Sequence, residues 1–214
     1  MNTIEAKSET RRGKGRPREF DRQTALKKAL EVFWEVGFEP ASVSRLCQVM
    51  GINPPSLYAT FGNKKCLFLE ALRFYEEIYW REPEKQLEAD PDIRSALAAY
   101  FDKAAEIILA PDNPCGCMVV TAAVNIADSE TEIIDCVREM REATRKMFAD
   151  RLRRAIRDGQ LPADEDIPAL SAAFNALLEG MSLQARSGLS QAELKNVASR
   201  AVRMLPTMVA RESS

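Results

Sequence analysis

Apolar residues recur at helical spacing along most of this chain, and polar or helix-breaking residues separate the runs. Leu26, Ala29, Leu30 and Phe33 share one face of a segment that opens at Asp21 and closes before Gly37. Asp21 suits an N-cap and Gly37 a terminating glycine, so the pattern predicts a helix from Asp21 to Val36. A short helix follows Ser42, carries Val43, Leu46, Cys47 and Met50, and stops at Gly51. Asn53 is placed to cap a third, Pro54 to Phe61, whose first-turn prolines lose no hydrogen bond. Gly62-Asn63 breaks it. A longer helix over 64–81 carries Leu67, Leu69, Ala71, Leu72 and Tyr75, and Pro83 with the stretch Glu88 to Asp92 marks a boundary. Beyond it the pattern predicts helices over 91–110, 117–127, 130–158, 166–187 and 190–211. Pro111 to Pro114, Asp128-Ser129, Asp158 to Pro162 and Ser187-Gly188 interrupt them. The expected fold is all-α, with about nine helices. It divides into a flexible basic arm over 1–18, a helix-turn-helix head over 19–65 and a larger helical domain over 66–214.

Composition agrees. The 214 residues are 46% hydrophobic and 29% charged, enough to bury a core. The segments are rich in Ala, Leu, Glu, Arg and Lys, which favour helix. No apolar run reaches the ~20 residues that span a bilayer. The polar, basic start, Met1 to Arg18, is not a secretory signal, so a cytoplasmic protein without membrane contact is expected. Its five cysteines are then expected to be reduced. The net charge of −2 is unevenly spread: residues 1–65 hold 12 basic and 7 acidic side chains, and the remainder 18 and 25. A basic head on an acidic body fits a head that meets a polyanion.

The most informative run is Ser42 to Phe61, two short helices around a glycine turn. Neither stands alone at that length. Packed on the first helix through Val43, Leu46, Cys47, Met50, Ile52, Leu57 and Phe61, they leave the polar side of the 54–61 helix free for a major groove. Residues 16–75 closely resemble the DNA-binding domain of the TetR/AcrR regulators. The matching elements are Gly15 to Arg18, Ala29 to Phe33, Gly37-Phe38, Ser42-Val43, Gly51 to Asn53 and, most specifically, Ser56 to Leu67.

The resemblance implies DNA contacts by Ser42, Ser44 and Arg45 at the start of the second helix, where hydroxyls and helix N–H groups meet phosphate. It implies a recognition helix opened by Asn53, with Ser56, Tyr58, Ala59 and Thr60 in the groove, Tyr58 resembling a phosphate contact. Lys64 matches a phosphate-binding lysine. The family often carries Lys, Arg or another polar residue at position 54 and Gly or Ala at 55. Here Pro54 and Pro55 donate nothing, so any readout there is apolar contact. Arg16 and Arg18, in the basic arm, resemble side chains laid in a flanking minor groove.

In the body, Leu170, Phe174, Leu177 and Met181 form one stripe and Leu194, Ala198, Ala201, Leu205 and Met208 another. The resemblance implies that they pair across a two-fold axis as a homodimer, matching a palindromic operator. It also implies an effector pocket. Candidate lining residues are Tyr100, Phe101, Ile108, Met118, Thr121 and Ala122, then Asn125, Phe148, Leu152, Phe174 and Leu177. Thr121 and Asn125 are polar on an apolar stretch and need partners. Cys115 and Cys117 leave a second reading open. A C-x-C pair suits a soft metal such as Cu(I), with Cys136 or Met118 as third ligand, or an oxidant or electrophile sensor.

An enzyme is not expected. The chain has no His, and it carries no glycine-rich phosphate loop, nucleophile elbow or paired-carboxylate pattern. The expected function is a ligand-responsive, dimeric repressor. Its partners are double-stranded operator DNA and a small-molecule effector, and no cofactor is expected.

Overall fold

The computed structural model describes residues 21–121 and 126–207. Arg16, Arg18, Ala122, Asn125 and Met208, named above, lie outside them. The described residues contain helices and no strand. In chain order the helices are α1 (Arg22–Val36), α2 (Val43–Met50), α3 (Pro54–Phe61), α4 (Lys64–Tyr75), α5 (Arg81–Ala89), α6 (Ile93–Ile108), α7 (Met118–Thr121), α8 (Thr131–Arg157), α9 (Ile167–Arg186) and α10 (Gln191–Ala201).

The head assembles because each short helix has a side-chain cap. Asp21 accepts from the N–H groups of Gln23 and Thr24, Ser42 from Arg45, Asn53 from Ser56 and Asn63 from Cys66. Gly51 takes the left-handed conformation (φ 72°) that ends α2 and turns the chain into α3. The head's core does not close at residue 65. Phe33 of α1 meets Phe68 of α4 edge-on, with centroids 4.9 Å apart, and Arg22 binds Glu70 through two hydrogen bonds while lying over the Phe61 ring. α4 thus belongs to both head and body.

The expected boundary at Pro83 is not there. α4 runs through a π-helical turn, Glu76–Trp80, into α5 and ends at Ala89. Proline lacks an N–H and its ring crowds the carbonyl four residues back. The wide turn just before Pro83 lets one rod continue past it. The chain breaks instead at Asp90-Pro91.

Among described residues α7 is a single turn, Met118–Thr121. One other helix, α10, is shorter than expected. It ends at Ala201, followed by a 3-10 turn, Val202–Met204. Pro206 explains that stop: the residue before a proline favours extended backbone, and Leu205 has φ −69° and ψ 135°.

The body's centre is aromatic. Phe101 stacks on Phe148 at 5.8 Å, and Tyr100 and Phe174 pack around them. Arg151 is buried in α8. Its Nε donates to the Leu87 carbonyl at 3.0 Å and Nη2 to the Asp90 carbonyl at 2.8 Å, so a cation closes the C-terminus of α5.

Candidate nucleic-acid interface and ligand cavity

α3 buries Leu57 and Phe61 in the head and turns its other side outward. Pro54, Pro55 and Ala59 are exposed, Tyr58 keeps 49% of its surface, and Ser56 and Thr60 are half-buried. Ser42 and Ser44 are exposed at the start of α2, and Asn53 is exposed while capping α3. The structure thus leaves each of these residues at least partly open to solvent. Two basic candidates are engaged within the head. Arg45 Nη2 pairs with Glu35 Oε2 at 2.6 Å. Lys64 Nζ lies over the Phe38 ring at 4.3 Å and donates to the Glu39 carbonyl at 3.2 Å. A phosphate would have to compete with contacts already made.

Two hydrogen-bonded links tie head to body. The buried Trp34 indole donates to the Gly116 carbonyl at 2.9 Å and packs edge-on against Tyr75 and Tyr79. Gly116 has φ 93°, and a Cβ there would lie 3.0 Å from Thr121 Cγ2 and 3.1 Å from Arg186 Cγ. Lys65, opening α4, binds Glu132 at 2.6 Å at the start of α8. Neither link was legible in the sequence, since neither joins neighbours in the chain.

The pocket expected in the body is elsewhere. Phe101, Ile108, Met118, Phe148, Leu152 and Phe174 are fully buried core, spent on one another. Thr121 bonds the Cys117 carbonyl, and half-buried Leu177 packs beside the core without lining the cavity. Of the candidates among the described residues only Tyr100 reaches the cavity, which is about 40 Å³, room for roughly three waters. Around it stand Glu76 and Trp80 of the π turn, Glu84, Cys117, Arg141 and Glu179. Burial first, then repulsion from Glu84, pushes the Glu76 carboxyl up to about 7. Burial also raises Glu84. The signal was present in Glu76, Trp80 and Glu84 at four-residue spacing, a pattern that reads equally well as a solvated face.

The cysteines do not form the expected site. Among described residues no three His, Cys, Asp or Glu side chains gather to hold a metal, so Cys136 does not join Cys115 and Cys117. Cys117 stands just before α7, where an exposed thiol would be acidified. It is buried instead, and burial pushes its thiol up; burial also raises Cys115.

The expected dimer stripes are largely used inside the subunit. α10 packs on α6 and α9 with Leu194, Ala198 and Ala201 buried, and Leu205, Leu170, Phe174 and Met181 are buried too. What α9 leaves outward is Leu177, Ala176, Gly180 and Leu183, the last 51% exposed.

An all-helical chain with a capped helix-turn-helix head on a helical body is the architecture of a one-chain transcriptional regulator. Residues 25–71 match the family model "Bacterial regulatory proteins, tetR family", and residues 94–201 match "Tetracyclin repressor-like, C-terminal domain". The chain belongs to the TetR family of transcriptional regulators, which are not enzymes. It is 32% identical over 203 residues to the HTH-type transcriptional repressor ComR of Escherichia coli K12, covering 93% of this chain and 95% of that one. It is similar to a cysteine mutant of the TetR family regulator CifR complexed with 26-bp double-strand operator DNA. That match has 38% identity and a TM-score of 0.85, and covers 90% of this chain and 100% of that one. A putative TetR transcriptional regulator from Rhodococcus sp. RHA1 is 34% identical with a TM-score of 0.60, covering 87% of this chain and all of that one. No helix among the described residues is long and apolar enough to cross a membrane.

Proposed function

We propose that this chain is a cytoplasmic repressor that grips palindromic operator DNA as a homodimer and lets go when a small molecule enters the body. The outward face of α3 carries the reading: Pro54, Pro55, Tyr58 and Ala59 stand exposed on a helix whose other side is packed and whose N-terminus is capped. CifR, 38% identical, was solved on its operator, and ComR is named a repressor. We read 19–65 as the DNA-binding unit, preceded by the basic arm 1–18, and 66–214 as the effector-binding and dimerising unit. Ser42, Ser44 and Tyr58 hold phosphates, while Ala59, Thr60 and the two prolines offer contacts to bases. Leu177, Gly180 and Leu183 of α9 meet their symmetry mates.

The links at Trp34 and Lys65 give an effector a route to the head. Movement of the α4–α5 rod at its π turn, where Glu76 and Trp80 line the cavity, would change the spacing of two heads. Cysteine chemistry, with Cu(I) or an oxidant, has less support, because burial pushes the Cys115 and Cys117 thiols up and, among the described residues, no His, Asp, Glu or further Cys joins them. A gel shift on the region upstream of its own gene tests the reading. Affinity should fall steeply with salt, the logarithmic slope being about −0.9 per phosphate neutralised. No salt-sensitive complex on any such fragment would end it.

A further inference from the structure

The cavity has donors to spare and little net charge. Arg141 and Glu179 offset each other, with Nε 3.6 Å from Oε1, too far for a hydrogen bond. That Nε belongs to a residue of the cavity wall, is buried, and has no hydrogen-bond partner among the described residues. A buried cationic donor left unpaired is costly. Burial pushes the carboxyls of Glu76 and Glu84 toward their neutral, proton-bearing form, in which each adds an O–H donor. Two other polar groups of the wall are already used. The Thr144 hydroxyl donates to the Met140 carbonyl at 3.2 Å, and Asn175 Nδ2 donates to Glu179 at 3.2 Å. An ion of either sign would enter without a counterion to spare for it. A neutral guest with an acceptor oxygen answers the spare donors, since a carbonyl oxygen accepts two hydrogen bonds. The space of about 40 Å³, room for roughly three waters, limits that guest to about three heavy atoms.

We propose that this cavity takes a neutral carbonyl compound of about three heavy atoms, its oxygen accepting from Arg141 Nε and its remaining atoms against Trp80 and Tyr100. This names the effector class for the ligand-responsive reading above and rests on it. Arg141, Asn175 and Glu179 also line the open groove outside, so the guest enters past the loose Arg141–Glu179 contact. The titratable and charged groups around Glu76 are Glu84 from α5, Tyr100 from α6, Cys117 before α7, Cys136 and Arg141 from α8, and Glu179 from α9. An acceptor oxygen seated among them favours the Glu76 carboxyl that still carries its proton. Because that carboxyl titrates at about 7, binding tightens as pH falls from 8 to 6, by up to about ten-fold.

Formamide, sodium formate and formamidinium chloride share a planar frame and differ in charge. The chain has two tryptophans, Trp34 and Trp80, and of these Trp80 lines the cavity. Titration of the full chain, followed by the two indole N–H signals in NMR, should show a saturable shift of the Trp80 signal with formamide alone. A guest this small binds no tighter than roughly millimolar. The bulkier N,N-dimethylformamide should produce no saturable shift. Arg141→Lys keeps the charge but loses the Nε donor, and should weaken formamide several-fold. Glu76→Gln keeps a donor and should bind formamide with the pH dependence gone. No saturable shift with formamide would overturn the proposal. So would equal binding of formate, formamidinium or dimethylformamide, unchanged affinity in Arg141→Lys, or an affinity flat between pH 6 and 8. If Arg141→Lys does not fold, the titrations of the wild-type chain decide. An operator gel shift run alongside separates the two readings. Formamide binding that leaves the DNA complex intact keeps the ligand class and refutes the effector role.

Discussion

Glu76 shows how much one residue's setting matters. In the chain it is one glutamate among many, four residues before Trp80; in the fold it is pushed up to about 7 by burial and by Glu84. The folded protein therefore holds this proton more tightly than the unfolded chain, where the carboxyl titrates near 4.5. Between those values stability falls as pH rises, and the loss is complete above about 7. Glu76→Gln removes that dependence. Its melting temperature should match the parent near pH 4 and exceed it by a growing margin up to pH 8. A margin that stays flat with pH would show that Glu76 titrates normally. Gly116 is the second such residue. Its backbone sits at φ 93°, and a methyl would crowd Thr121 and Arg186. Gly116→Ala should cost at least about 1–2 kcal/mol in chemical denaturation. Nothing in the run Cys115-Gly116-Cys117 forecasts this, because the crowding comes from Thr121 and from Arg186, distant in sequence.

Helices were legible where local chemistry decides them. Asp21, Ser42, Asn53 and Asn63 cap where short polar side chains can reach the backbone. Gly51 ends α2 because its position needs a left-handed residue. The π turn at Glu76–Trp80 was not legible, since α4 and α5 carry no local mark that a proline will be bypassed. Nor could the sequence say which face of α10 points inward: Leu194, Ala198 and Ala201 form a stripe that would suit a partner as well as α6. At this scale Trp34 is the test. Its indole holds the segment before α7 against α1. Trp34→Phe keeps the ring packing and drops the hydrogen bond, leaving the Gly116 carbonyl buried and unpaired. We expect a loss of about 1–3 kcal/mol in stability, with effector-driven release of DNA blunted more than DNA binding itself. Unchanged stability would mean that water replaces the indole.

The whole molecule joins a basic head to an acidic body through the rod of α4 and α5 and through the Trp34 and Lys65 contacts. The head was legible because its motif is contiguous, from Ser42 to Leu67. The cavity was not, because its walls come from the π turn, α5, α6, α8 and α9. Dimerisation belongs to this scale. α9 leaves Leu177, Gly180 and Leu183 outward, with small side chains that permit close approach. Leu183→Glu should shift light scattering from a dimer toward a monomer near 24.0 kDa, with operator affinity falling alongside. A dimer that persists unchanged would place the interface off α9.

The central claim is that two copies of α3 enter neighbouring grooves of one duplex. Hydroxyl-radical footprinting on the operator tests it most directly. Two protected patches are expected on one face of the helix, related by a two-fold axis and spaced by whole turns of about 34–36 Å, with Tyr58→Ala weakening both together. A single protected patch, or protection that survives when Tyr58 and Thr60 are both replaced by Ala, would contradict it.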